Sequence, residues 1–166
     1  MHRKALFSFH YRPDNWRAAQ VRNMGLVDGN TPVSDNDWES ITKGGDPAIE
    51  RWITNQLLGK SCAIVLIGSN TAGRKWIKYE IEKTWNDGKG LLAIHIHNLK
   101  DKDGIKVTKG RNPFEDFTMK KDNKTLLSNI VKTYDPPYTL STDVYDYIKR
   151  NLESWVETAI KIRNNY

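Results

Sequence analysis

The sequence has little that permits covalent or metal cross-linking, since its 166 residues include one cysteine, Cys62. A single thiol forms no internal disulfide and completes no cysteine-based zinc site, so we expect a reducing, cytoplasmic compartment. No run of about 18 apolar residues is present, and the apolar stretch near the amino terminus is broken at Ser8 and His10. We therefore expect a chain that is neither secreted nor membrane-spanning.

Common signatures of phosphate binding and nucleophilic catalysis are also missing. There is no Walker loop and no GxGxxG sequence, and Ser8 and Ser69 lie outside any GxSxG motif. His95 and His97 alternate along an apolar run and resemble metal ligands, but no third ligand follows nearby. A packed or surface histidine pair is the favoured interpretation, and we expect neither a metal nor a resident cofactor.

The net charge of +6 does not by itself indicate a nucleic-acid partner. Half of the excess falls in Lys100–Lys124, where eight Lys and Arg oppose five Asp and Glu. We expect a long exposed loop at about 98–124, either functional or mobile, with a solvated surface rather than a nucleic-acid patch. Attraction of an anionic ligand such as a dinucleotide is compatible with this charge.

What the sequence does contain is an alternation of short apolar runs with amphipathic segments. The predicted strands are Ala5–Phe9, Cys62–Ile67, Leu91–Ile96 and a weaker Leu126–Tyr134, with one short edge strand near Val33 in the polar loop 26–40. The predicted helices run over about 13–24, 46–58, 75–87 and 141–163. Asp46 is expected to cap the second helix, and Ser141 or Thr142 the last.

Strands that alternate with helices predict an α/β fold, a three-layer, doubly wound and mostly parallel sheet of five strands. We expect one domain over residues 1–166, flavodoxin-like, with strand order 2-1-3-4-5. In such sheets ligands bind beyond the strand ends at the switch between strands 1 and 3. This rule selects two loops, 8–11 and 68–74. Neither carries the acidic residues that a phosphorylation receiver domain needs there.

Glu80 is the remaining candidate for chemistry near these loops. An apolar arc of the third predicted helix is formed by Ile77, Ile81, Thr84 and Trp85. Trp76 and Glu80 lie together at the edge of this arc, one turn apart, so the carboxylate can lean over the cleft. Taken alone, a boundary glutamate is usually solvated and a tryptophan usually packs in the core.

At these residues the sequence resembles a known family. Trp76-Ile77-Lys78-Tyr79-Glu80 resembles the WxxxE helix of TIR domains, and CAIVLIGSNT resembles the strand and serine-bearing turn before it. RKALFSFHY is similar to the first TIR box. IHIHNLKD and NPFEDF resemble the late part of the TIR-like subunit of Thoeris antiphage systems. The resemblance covers about residues 3–118.

The resemblance implies cleavage of NAD+, with NAD+ as substrate rather than cofactor and Glu80 as the catalytic glutamate. By the same comparison, the residues that line or support the dinucleotide cleft are Phe7, Ser8, Phe9, His10, Tyr11, Ser69 and Trp76. The loop before the Asp46 helix would close over the nucleotide, and its candidates are Asp37, Trp38 and Glu39.

One carboxylate suffices for this reaction, because nicotinamide leaves NAD+ as a neutral molecule and needs no general acid. Water, an internal hydroxyl or adenine nitrogen, or a free imidazole would each give a different product, and the sequence does not choose among them. The family implies self-association, a phage-derived trigger and an effector protein reached through a diffusible signal. The alternatives are a non-catalytic TIR adaptor acting by assembly and a nucleoside deoxyribosyltransferase-like enzyme.

Overall fold

A computed structural model describes residues 2–29 and 35–166, except for the side chains of residues 35–37. Its strands are β1 (Ala5–Ser8), β2 (Cys62–Ile67), β3 (Gly90–His95) and β4 (Lys132–Tyr134). Its α-helices are α1 (Tyr11–Arg22), α2 (Asp35–Lys43), α3 (Asp46–Leu57), α4 (Lys75–Asn86) and α5 (Ser141–Asn164). Short 3₁₀ turns lie at Pro113–Asp116 and Leu127–Asn129.

The four strands form one parallel sheet in the order β1-β2-β3-β4. They correspond to predicted strands 1, 3, 4 and 5, so the α/β class and the order of these strands are confirmed. The predicted edge strand near Val33 lies outside the described residues. On that side of β1, Asp28 forms a parallel bridge with Lys4, so pairing beyond β1 begins there.

Burial explains why the apolar runs form strands. Every residue of β2 and β3 is buried, as parallel strands covered by helices on both faces require. Alternate side chains enter two separate cores. Ile64 and Leu66 pack in a core with residues of α1 and α5, whereas Ala63 and Val65 pack in a core with residues of α3 and α4. The sheet is therefore the middle of three layers.

The structure corrects two predictions before β2. Part of the polar stretch 26–40, predicted as loop, is the start of helix α2, whose Trp38 ring meets Trp52 of α3 edge to face at 5.7 Å. Tertiary packing of this kind outweighs a weak local propensity. Asp46 does not cap α3, because Gly45 is the N-cap residue and the Asp46 carboxylate pairs with Lys75 instead.

Three predictions after β3 also need correction. The segment 98–124 is not simply an exposed loop, since Phe114 is fully buried in the core below α4. The last strand is shorter than predicted, because a 3₁₀ turn occupies Leu127–Asn129. Neither Ser141 nor Thr142 caps α5, because Leu140 is its N-cap residue. The hydroxyl of Ser141 instead accepts a hydrogen bond of 3.0 Å from the backbone amide of Lys100. None of the helices in the described residues is long and apolar enough to cross a bilayer.

Candidate active site

A cleft of about 980 Å³ opens at the carboxyl ends of β1 and β2. This is the edge that the topology rule selects for ligands in open α/β sheets. Both predicted loops contribute to it, together with residues of α1 and α3 and the segment 109–111, which sequence reasoning did not select. Its lining comprises Leu6, Phe7, Phe9, His10, Tyr11, Arg12, Arg22, Trp38, Trp52, Ser69, Asn70, Ala72, Gly73, Arg74, Lys75, Trp76, Ile77, Glu80, Lys109, Gly110 and Arg111.

Among the residues that the structure describes, Glu80 is the one carboxylate that lines the cleft, and it is 9% exposed. The hydroxyl of Ser8, at the end of β1, donates a hydrogen bond of 2.9 Å to Glu80 Oε1. Burial raises the pKa of Glu80 from 4.5 to about 8, while the Ser8 hydrogen bond opposes part of that rise. Removing a carboxylate from water favours its neutral form, and a donated hydrogen bond favours the charged form.

Helix α4 brings Glu80 to this position through its apolar face. Ile77 and Ile81 are buried against the sheet, and Glu80 beside them is turned towards β1, where it contacts Ser8. The hydroxyl of Thr84 donates to the Glu80 carbonyl at 2.6 Å. The predicted arc is therefore present, but Glu80 lies deeper than an edge residue.

Aromatic rings form much of the cleft wall. Phe9 and Tyr11 are stacked with ring centroids 6.1 Å apart, and Trp76 meets Tyr79 edge to face at 5.6 Å. Trp38 belongs to α2, which brings it to the cleft beside α3. Rings at these places offer flat apolar surfaces on which a nucleobase or pyridine ring can stack.

The electrostatic character of the cleft is cationic. Within the described part of the chain, six lining residues carry a positive charge, namely Arg12, Arg22, Arg74, Lys75, Lys109 and Arg111. Four of them lie beside acids, since Lys109 pairs with Asp135 at 2.7 Å, Arg111 with Asp116 at 2.6 Å and Lys75 with Asp46, and Arg12 Nη2 lies 3.9 Å from Glu39 Oε1. Burial and then the charge of Arg74 lower the pKa of His10, which disfavours its charged form. A cleft of one sign attracts a ligand of the opposite sign.

One wall of the cleft depends on two glycines. A Cβ atom on Gly110 would lie under 3.0 Å from the carbonyl oxygen of Gly68, so the segment 109–111 rests directly on the loop 68–74. The Gly68 amide donates to the hydroxyl of Thr71 at 2.8 Å, which folds that loop back on itself. Close backbone approach of this kind is possible only without side chains.

The structure brings together nearly all residues predicted for the site. Phe7, Phe9, His10, Tyr11, Trp38, Ser69, Trp76 and Glu80 all line the cleft. Ser8 is buried and contacts Glu80 rather than lining the cleft itself. The side chain of Asp37 lies outside the described part, and the exposed Glu39 is 3.9 Å from Arg12. Their roles in binding stay predictions.

Sequence reasoning missed the cationic residues and the segment 109–111. The segment lies far along the chain in what reads as a polar connector, so no local pattern places it at the cleft. Gly110 followed by Arg111 was the available signal, because a glycine in a polar segment often marks close backbone approach. The basic residues of α1 were likewise read only as part of a dispersed surface charge.

His95 and His97 do not form a metal site with their neighbours. Their rings meet edge to face at 5.8 Å, and burial lowers the pKa of His95 to about 4. No group of three His, Cys, Asp or Glu within residues 2–29 and 35–166 is placed to hold a metal ion. Burial also lowers the pKa of His97, and the absence of a resident metal stays a prediction.

Comparison with known proteins assigns the family. Residues 6–101, more than half of the chain, match the family model described as "Thoeris protein ThsB, TIR-like domain". Over 120 residues the chain is 38% identical to "Putative cyclic ADP-D-ribose synthase ThsB1" of Bacillus cereus (strain MSX-D12). That alignment covers 69% of this chain and 62% of the relative, so the chain spans less than two thirds of the relative's length. The chain belongs to the TIR-like domain family of Thoeris ThsB proteins.

Proposed function

We propose that this protein is an NAD+-cleaving TIR enzyme that releases nicotinamide and makes an ADP-ribose-derived signal molecule in antiphage defence. The observation that carries the proposal is the buried Glu80, held by Ser8 in a cationic, aromatic-lined cleft. The relative's name, a cyclic ADP-D-ribose synthase, supports a cyclase over a simple hydrolase. NAD+ is the substrate in this proposal, and no resident cofactor or metal is required.

Cleavage of the bond between nicotinamide and ribose requires one carboxylate from the protein. As the bond between nicotinamide and ribose breaks, the ring leaves as a neutral molecule and positive charge develops on the ribose. Ionised Glu80 stabilises this charge and accepts hydrogen bonds from the ribose hydroxyls. Stabilisation is strong because the carboxylate is screened from water in the cleft.

Substrate binding itself favours the ionised form of Glu80. In the ligand-free protein the pKa of about 8 leaves most of the carboxyl protonated at pH 7. The nicotinamide ring of NAD+ carries a positive charge, and an opposite charge within about 4–6 Å lowers the pKa of a carboxyl group. Bound NAD+ therefore promotes release of the Glu80 proton, and Ser8 donates to the oxygen that becomes charged.

The remaining contacts divide between the two ends of the dinucleotide. The pyrophosphate is the anionic part of NAD+, so it binds to the cleft cations, Arg74 among them. Phe9, Tyr11 and Trp76 provide surfaces for the nicotinamide and adenine rings. The effector protein, the phage-derived trigger and self-association stay predictions from the family.

The proposal is tested by incubating the purified protein with NAD+ and following nicotinamide release by chromatography. Mass spectrometry of the second product distinguishes ADP-ribose, its cyclic isomers and conjugates. Deoxynucleosides in place of NAD+ test the deoxyribosyltransferase alternative. Nicotinamide release that depends on Glu80 supports the enzyme. Phage defence that persists in cells carrying Glu80→Gln would support the non-catalytic adaptor instead.

A further inference from the structure

Two ionic side chains of α1 are buried without touching the cleft. Asp14 is 2% exposed and Arg17 is 1% exposed, and Arg17 Nη1 donates to Asp14 Oδ1 at 3.1 Å. A buried ion pair seldom adds net stability compared with apolar side chains of the same volume. Stability is therefore a poor explanation for this pair, and its other contacts indicate a different role.

Arg17 binds the chain that follows β3. Its Nε donates to the carbonyl of Leu99 at 2.8 Å, and its Nη2 donates to the carbonyl of Ile105 at 2.6 Å. Nη2 also lies 3.8 Å from the carboxylate of Asp101. A planar guanidinium reaches these acceptors at once, whereas a lysine ammonium offers a single point charge. One turn later, Gln20 donates to the carbonyl of Lys100 at 2.7 Å.

Asp14, the other member of the pair, packs against the loop 68–74. A Cβ atom on Gly68 would lie under 3.0 Å from both carboxylate oxygens of Asp14, so the carboxylate directly supports the loop after β2. Gly110 in turn rests on the carbonyl of Gly68. Helix α1, the loop 68–74 and the segment 99–111 therefore meet at the Asp14–Arg17 pair.

These two supported segments form adjacent parts of one wall of the cleft. Gly68 precedes Ser69 and Asn70, Gly110 lies between Lys109 and Arg111, and these four neighbours all line the cleft. A displacement of either segment therefore changes the shape of this wall. It also moves two cationic side chains that line the cleft.

We propose that the Asp14–Arg17 pair is a positioning unit that fixes the segment 99–111 against the loop 68–74 and thereby sets the affinity of the cleft for an anionic substrate. The kinetic part of this inference rests on the proposed NAD+ cleavage. Neither residue touches the reacting atoms, so losing the pair raises KM for NAD+ and leaves kcat nearly unchanged. Glu80 and Ser8 stay in place because α4 and β1 hold them.

The test uses Arg17→Lys, which keeps the positive charge but loses the planar guanidinium that donates to several acceptors at once. Arg3→Lys is the matched control. Arg3 is half-exposed and pairs with Glu157 at 2.8 Å, away from the cleft. Amide hydrogen exchange in Arg17→Lys should become roughly 10–100-fold faster over residues 99–111, as expected for lost hydrogen bonds from a charged donor. Exchange in β2 and α5 should change much less. KM for NAD+ should rise about 10-fold with kcat within about threefold, because the displaced residues contribute to binding and not to the reacting centre.

Unchanged exchange over 99–111 in Arg17→Lys would overturn the inference, and so would an equal increase in every element. Faster local exchange with an unchanged KM would also overturn it. If the wild-type protein releases no nicotinamide, the proposed function fails, and the exchange comparison alone decides the positioning role. Should Arg17→Lys not fold, Gln20→Ala removes a separate hydrogen bond to Lys100, and local exchange and KM should then rise by smaller amounts. No change in either quantity in Gln20→Ala would contradict the inference.

Discussion

Replacing Glu80 with glutamine should abolish activity and yet stabilise the protein at neutral and alkaline pH. Glutamine keeps the size of the side chain and can still accept a hydrogen bond from the Ser8 hydroxyl, but it never carries a charge. In the wild-type protein the native state holds a proton on Glu80 up to about pH 8, whereas the unfolded chain releases it near 4.5. Between these values the native state binds more protons, so wild-type stability falls as pH rises.

The magnitude follows from the two pKa values. Each pKa unit corresponds to 1.36 kcal/mol, so the rise from 4.5 to about 8 represents at most about 5 kcal/mol above pH 8. Between pH 5 and pH 8, the stability of Glu80→Gln relative to wild type should increase by about 3 kcal/mol. The side chain is 9% exposed, so water screens this effect little. Total stabilities of about 5–15 kcal/mol make such a change easy to measure.

Urea denaturation of both proteins at several pH values measures this difference. Glu82→Gln is the matched control, because Glu82 lies on the same helix and is exposed. Its stability relative to wild type should stay nearly constant over the same range. Titration of other groups cancels in each difference. A difference between Glu80→Gln and wild type that stays flat from pH 5 to pH 8 would refute the raised pKa and the burial that causes it.

Three further predictions concern other parts of the site and core. First, kcat/KM for NAD+ should fall about tenfold per pH unit below about pH 8, because free Glu80 must lose its proton. Ser8→Ala should shift this fall in kcat/KM to higher pH, because the hydrogen bond that favours ionised Glu80 is lost. A pH-independent kcat/KM would contradict the role of ionised Glu80. Second, Gly110→Ala should destabilise the protein by about 1–3 kcal/mol and weaken NAD+ binding, since the new Cβ meets Gly68. Thr108→Ala, at an exposed neighbour, is its control, and equal melting temperatures of the two variants would contradict the close approach. Third, burial raises the pKa of the Cys62 thiol to about 12, so iodoacetamide should label native protein far more slowly than urea-unfolded protein. Equal labelling rates would show that Cys62 is accessible.

The parallel sheet could be predicted because its signal is local. Cys62–Ile67 is continuously apolar and is bounded by polar and small residues, and the structure places β2 over these residues. The adjoining helix was predictable for the same reason, since Ile77 and Ile81 keep helical spacing. The topology rule locates the cleft from strand order alone.

Long-range packing set the limits of prediction. Helix α2 lies in a polar stretch and is held by the contact between Trp38 and Trp52, which no local pattern reveals. The cleft wall at Lys109–Arg111 depends on one glycine meeting another about forty positions earlier in the chain. The depth of Glu80 was underestimated for a similar reason, because β1 covers it with Ser8.

Nicotinamide release from NAD+ tests the central claim most directly when wild type, Glu80→Gln and Glu82→Gln are compared at equal concentration. The account predicts release by wild type and Glu82→Gln, and none by Glu80→Gln, although that variant is the most stable of the three at pH 8. Release by Glu80→Gln at the wild-type rate would contradict the account.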